Sequence, residues 1–104
     1  MILVNVRRHG DEIMELDVSG HAGQAPRGED LVWAGASSIM VGALNAIDQL
    51  ADGSCALLMD EAHIKITQLK ENERAKLLLA STLISLQTLE SSYSRYIKIQ
   101  IQEV

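Results

Sequence analysis

With 104 residues, the chain is long enough for one domain with its own core, spanning residues 1–104, and too short for two. Its formal net charge of -5 at pH 7 argues against a general basic surface of the kind that binds nucleic acid. The single cysteine, Cys55, excludes an internal disulfide and a cysteine-rich metal site.

The first two predicted elements are strands. Residues 2–6 and 13–18 each alternate apolar and polar side chains, and a short turn containing Gly10 separates them. Two strands joined so closely are expected to pair as an antiparallel hairpin. The side chains expected to face the core are Ile2, Val4, Val6, Met14, Leu16 and Val18.

A glycine-rich loop is predicted next, over residues 19–29. It has few bulky apolar anchors, so its part from Ala22 to Glu29 is a candidate for motion on ligand binding, although a plain connection is an equal alternative. Asp30 is the expected N-cap of a helix that continues to about Leu50. This helix is apolar nearly all round. We expect it to be buried between the sheet and another layer, and not to span a membrane, because polar residues interrupt it.

The second half repeats this order of elements. A short apolar segment at 55–59 is a buried strand or a helix extension, and an alternating strand at 63–68 forms a hairpin with it. Asn72 is expected to cap a helix over 73–93, and residues 96–102 form the last strand. The order ββαββαβ predicts an α+β fold: a mainly antiparallel five-stranded sheet with two helices packed on one face. Such an arrangement leaves apolar surface exposed, which favours a homodimer.

Few residues are suited to chemistry. His21 follows a strand and could act as a general base, or it could be an exposed loop histidine without a role. The helix start near Trp33 favours negative charge and would activate a thiol, but the indole of Trp33 cannot attack a carbonyl. Ser37 and Ser38 are alternative nucleophiles, or packing residues. No spacing typical of a metal site or a nucleotide fingerprint is present, so we predict neither a metal nor another cofactor.

A paired motif carries a family resemblance. Gly20-His21-Ala22 is followed by Gly23 and then by Gly28-x-Asp30-Leu31-Val32-x-Ala34-Gly35-Ala36-Ser37-Ser38. The pattern, together with the element order over nearly the whole chain, resembles the ribosomal-processing cysteine protease family, Prp. The resemblance implies a homodimeric bacterial protein of ribosome assembly. A cytoplasmic location is expected separately, because the apolar N-terminal run is too short for a signal sequence and no segment is expected to span a membrane. Members use a Cys-His dyad to remove the N-terminal extension of a large-subunit ribosomal protein, with a mobile loop closing over the peptide.

The resemblance also assigns roles to residues. His21 matches the catalytic histidine, Asp30 and Ser37 match residues that flank the nucleophile, and the nucleophile position falls on Trp33. Gly20, Ala22, Gly23 and Gly28 belong to the substrate loop and the helix start. The chain is therefore expected to be a catalytically impaired protease of this family. The alternatives are a non-catalytic peptide-binding or regulatory homodimer, and an enzyme that uses Ser37 or Ser38 with His21. The expected partners are the extension peptide and a second copy, with neither direct nucleic-acid binding nor a membrane.

Overall fold

The computed structural model describes residues 1–20 and 27–104. Within them the chain forms five strands and two helices in the predicted order ββαββαβ. Their bounds are β1 Ile2–His9, β2 Glu12–Ser19, α1 Arg27–Leu50, β3 Cys55–Asp60, β4 His63–Gln68, α2 Glu73–Tyr93 and β5 Ile97–Glu103. The segment at 55–59 is thus a strand, and Gly10 takes the positive φ (59°) that the β1–β2 turn requires.

The five strands form one sheet in the order β3-β4-β2-β1-β5. The pairs β1–β2, β2–β4 and β3–β4 are antiparallel, as predicted for the two hairpins. The pair β1–β5 is parallel, with Ile2 opposite Ile97 and Val6 opposite Ile101. A parallel neighbour needs a crossover connection, and α2 supplies it by carrying the chain from β4 to the far side of β1. The sheet is therefore mixed, although mainly antiparallel.

Both helices pack on one face of this sheet. On β1 and β4 the side chains alternate between buried and more exposed, so only one face of the sheet is covered. The core is aliphatic throughout, as the composition requires. Its largest fully buried apolar side chains are Ile2, Leu16, Met40, Ile47, Ile66, Leu79, Leu86, Ile97, Val4, Val6 and Val18.

The prediction is wrong for one core residue. Met14 was expected to face inward, but Ile13 is buried and Met14 only partly so. The cause is a β-bulge: Arg7 pairs with Glu15 and Arg8 with Ile13, so Met14 is an extra residue on β2. The extra residue reverses the alternation at the start of the strand.

Helix α1 is covered on one side only. Its inward stripe packs on the sheet and on α2, while Leu31 on the outer side is 70% exposed. By length and composition alone, Gly28–Leu50 could cross a membrane, a test that core helices of soluble proteins also pass. The prediction that α1 is buried on both sides is wrong, since no second layer covers its outer face within the described residues. Small or polar side chains dominate that face: Ala34, Ser38, Gly42, Asn45 and Asp48.

Helix α2 begins where the sequence predicts. The Asn72 side chain accepts a hydrogen bond from the Ala75 backbone N–H at 3.0 Å, which satisfies one of the free donors of the first turn. Near the other end, the Glu90 carboxylate accepts a hydrogen bond from the Ile99 N–H at 2.7 Å. The helix is thus fixed at its start by its cap and at its end to β5.

Replacing the cap should destabilise the fold. For Asn72→Ala we expect a loss of about 1 kcal/mol in the free energy of unfolding, measured by urea denaturation, because the Ala75 N–H loses its acceptor. Asn45→Ala is the matched control: this asparagine is exposed in the interior of α1, where alanine is the better helix former. Equal stability of Asn72→Ala and the unaltered chain would contradict a contribution from the cap.

Candidate functional site

The end of β2 lies directly against α1. The Gly20 N–H donates to the carbonyl oxygen of Ala62 at 3.0 Å, which holds this backbone beside the β3–β4 turn. A Cβ on Gly20 would lie 2.7 Å from Cε3 of Trp33, closer than real Cβ contacts come. The indole therefore packs on bare backbone at Gly20. His21 follows in the chain, and with Ala22 and Gly23 it lies outside the described residues.

The predicted start of α1 is corrected by the structure. The helix begins at Arg27, so residues 27–29 are helical rather than loop, and Asp30 lies exposed in the first turn instead of capping it. The earlier start is stabilised by Glu29, a buried carboxylate that lies 2.6 Å from the amino nitrogen of Met1. Asp30 still carries negative charge at the positive end of the helix, where it is favourable.

Gly28 serves close packing rather than loop flexibility. It lies in the first turn of α1, and a Cβ there would meet the hydroxyl oxygen of Tyr96 at 2.6 Å. The ring of Tyr96, next to β5, thus reaches the start of α1 only because residue 28 has no side chain. The contact lies within the part of α1 that precedes the predicted start, since the helix begins four residues before the expected first helical residue, Leu31.

Trp33 is the seventh residue of α1 and therefore lies in its second turn. The expectation that position 33 lies at the helix start is therefore wrong. As for Asp30, the reason is that α1 begins already at Arg27. The helix dipole acts mainly within the first turn. A group at position 33 consequently receives little activation from the helix, and a neighbouring base would have to supply it.

A cavity of about 480 Å³ separates α1 from the β3–β4 hairpin. Three α1 side chains at successive turns form one wall: Trp33, Ser37 and Val41. The opposite wall comes from β3, the turn and β4: Met59, Asp60, Glu61 and Ile64. The volume lies within the range of about 300–1,000 Å³ that is typical of ligand sites.

The two candidate serines are placed differently. Ser37 lines the cavity beside Trp33, but its hydroxyl donates to the carbonyl oxygen of Ala34 at 3.2 Å, the local bond typical of a helical serine. Ser38 is exposed and does not line the cavity. The geometry thus favours Ser37 over Ser38 as a residue of the site.

Sequence reasoning missed the other wall of the cavity. Asp60 and Glu61 are not among the residues predicted for the site, although two adjacent carboxylates are an available signal. Their place beside Trp33 follows from the β2–β4 pairing, which the sequence does not reveal.

The same pairing sets His63 opposite Ser19, next to Gly20, although it is distant from His21 in sequence. Its Nε2 lies 2.5 Å from Oδ1 of Asp17, which occupies the sheet face away from the helices. This imidazole is therefore held on the open face of the sheet. Among residues 1–20 and 27–104, no three histidine, cysteine or carboxylate side chains form a group that could hold a metal ion.

A methyl group at position 20 should conflict with the indole. We expect Gly20→Ala to lower the free energy of unfolding by about 1–3 kcal/mol, the usual cost of overpacking, and most of this loss to disappear in a Trp33→Ala background. Gly42→Ala is the control, since nothing lies within 4 Å of a Cβ there. A double-mutant cycle by chemical denaturation measures the coupling, and additive effects would show that the two residues do not depend on each other.

Known proteins match this chain over nearly its whole length. The family described as cysteine protease Prp matches residues 1–98. The ribosomal processing cysteine protease Prp of Staphylococcus aureus (strain Mu50) is 32% identical over 103 residues, covering 95% of this chain and 97% of that protein. The protein of the same name from Bacillus subtilis (strain 168) is 31% identical over 107 residues, covering 95% and 96%.

Solved structures agree with the sequence matches. The S. aureus protease Prp in complex with a substrate peptide superimposes with a TM-score of 0.90 at 31% identity, covering 98% of this chain and 100% of that one. The protein SMU.848 from Streptococcus mutans gives a TM-score of 0.87 at 26% identity, covering 100% and 96%. The family match, the sequence matches and the structural matches all extend over nearly the whole chain. The chain therefore belongs to the cysteine protease Prp family.

Proposed function

We propose that this chain is a catalytically impaired Prp protein, which binds the N-terminal extension of a large-subunit ribosomal protein in the cytoplasm without cleaving it. The observation that carries the proposal is the position of Trp33, whose indole lines the cavity and packs against Gly20, the residue before His21. Its S. aureus relative is known in complex with a substrate peptide, which supports an extended peptide as the ligand.

The loss of activity follows from the chemistry of the side chain. A cysteine protease needs a thiolate that attacks the scissile carbonyl carbon, and a histidine that takes the thiol proton and later protonates the leaving amine. The indole nitrogen is only a hydrogen-bond donor, so Trp33 cannot form the covalent intermediate. Ser37 lies in the same cavity, but its hydroxyl is engaged with Ala34.

Restoring the thiol should restore cleavage. We expect Trp33→Cys to hydrolyse a synthetic extension peptide at least about 100-fold faster than the unaltered chain, with product detected by mass spectrometry, because a thiol and a base would then share the site. Since position 33 lies in the second turn, activation should depend on the histidine, and the Trp33→Cys, His21→Ala double variant should be inert.

The controls separate the candidate functions. Titration of the extension peptide against the unaltered chain should show binding without product. A folded Trp33→Cys variant that binds the peptide but leaves it intact would contradict the lost-nucleophile explanation. Cleavage by the unaltered chain would favour the serine alternative, and the Ser37→Ala, Ser38→Ala double variant would then have to abolish it.

We infer that the working form is a homodimer that pairs through β3. This strand lies at the sheet edge and, among residues 1–20 and 27–104, pairs with β4 alone, which leaves one side of its backbone without a strand partner there. Leu57, Leu58 and Met59 are 40%, 41% and 64% exposed, and no charged residue occurs from Cys55 to Met59. An exposed, uncharged edge strand favours pairing with another strand, and a second copy offers an identical one.

The oligomeric state tests this inference. Light scattering coupled to size-exclusion chromatography should give twice the chain mass of 11.4 kDa. Leu58→Lys should shift the protein to the monomer, because charge at the edge opposes pairing. Ile84→Lys is the control, since Ile84 is 62% exposed but lies on α2. A monomeric unaltered chain, or a Leu58→Lys variant that stays dimeric, would contradict an interface at β3.

A further inference from the structure

The cavity beside Trp33 combines three kinds of surface. Trp33 contributes an aromatic ring, while Val41, Met59 and Ile64 contribute aliphatic surface. Asp60, at the end of β3, and Glu61, in the β3–β4 turn, also line this space, and both carry carboxylates. Aromatic faces and carboxylates both attract cations, whereas aliphatic walls accept an alkyl chain.

The two carboxylates have no cationic partner within the part of the chain that the structure describes. Asp60 accepts a hydrogen bond from the Glu61 N–H at 2.8 Å, and neither side chain forms an ion pair there. Elsewhere on the described surface some exposed acids are paired with bases, whereas others, such as Asp48 and Asp52, form no ion pair there. Glu71 lies 2.8 Å from Lys76, and Glu103 lies 2.9 Å from Arg8. Among the described residues that line the cavity there is no lysine or arginine to compensate the negative charge of these two carboxylates.

We propose that this cavity binds the side chain of a lysine or arginine from a peptide partner. The aliphatic stem lies along Val41, Met59 and Ile64, and the cationic head lies between the indole and the two carboxylates. The proposal rests on the proposed function in that a peptide carries the cation. It adds that Trp33 contributes to recognition of the peptide. The side chain that stands at the nucleophile position also supplies an aromatic wall for the cation.

The overall charge supports a basic partner. The chain carries 14 acidic against 9 basic residues, so its field attracts cationic segments over a longer range than the cavity itself. Long-range attraction alone does not select a side chain. The selective element is the cavity, where the removal of water from an alkyl stem and the attraction of the head group act together.

The only tryptophan of the chain makes the test direct, because its fluorescence reports on this cavity alone. The probes are capped heptapeptides, three alanines on each side of one central residue: lysine, arginine, norleucine or glutamate. We expect the lysine and arginine peptides to give a saturable change in emission. The norleucine peptide, which keeps the stem without the charge, should bind at least about tenfold more weakly, and the glutamate peptide should not bind.

Two matched double variants test whether the carboxylates of Asp60 and Glu61 bind the cationic head. The Asp60→Asn, Glu61→Gln double variant removes two charges with little change of shape, and should lower the affinity for the lysine peptide about tenfold while leaving norleucine binding unchanged. The Glu71→Gln, Glu73→Gln double variant removes the same charge from the exposed start of α2 and should bind lysine nearly as tightly as the unaltered chain. Calorimetry extends the comparison to Trp33→Leu, which should weaken lysine binding more than norleucine binding.

Several outcomes would overturn the proposal. They are norleucine binding as tight as lysine binding, equal losses in the two double variants, or no response to any heptapeptide. These outcomes do not decide the proposed function, which depends on titration of the extension peptide and on the activity of Trp33→Cys. A chain that binds the extension peptide but does not distinguish lysine from norleucine would keep its family role and lack a cation site.

Discussion

The contact between the Gly20 backbone and the indole of Trp33 sets the distance between the sheet and α1 at the functional end of the molecule. Because the indole packs on backbone rather than on a side chain, the end of β2 lies close to α1 at position 33. The hydrogen bond from Gly20 to Ala62 adds the β3–β4 turn to the same cluster. The end of β2, helix α1 and the β3–β4 turn thus meet at one point, and the cavity lies beside it.

Local patterns were sufficient for most of the fold. Alternation predicted β1, β2, β4 and β5, and the Asn72 cap of α2 was correct to the residue. The features that were missed depend on partners distant in sequence. The parallel pairing of β1 with β5 and the bulge at Met14 are decided by the whole sheet, and the early start of α1 depends on Tyr96 and on the amino group of Met1. No window of a few residues contains that information.

The residues of the candidate site likewise divide into those that a local motif predicts and those that depend on partners distant in sequence. The paired motif around Gly20 and Trp33 was evident in the sequence and identified the family, because motif residues lie close together in the chain. Asp60 and Glu61 were not recognised, since their approach to Trp33 depends on the β2–β4 pairing. Half of the cavity was therefore predictable, and the acidic half became visible only with the topology.

The parallel pairing of the first strand with the last also governs how the molecule acquires its structure. Strand β1 lies between β2 and β5, so its backbone groups on one side remain without partners until the C-terminal strand is present. During synthesis, Ile2, Val4 and Val6 therefore remain without their β5 neighbours until residues 97–103 have been made, and the β1–β2 hairpin cannot complete its sheet before then. Contacts of such long sequence separation slow folding, and residues 2–6 are among the last to reach their final environment.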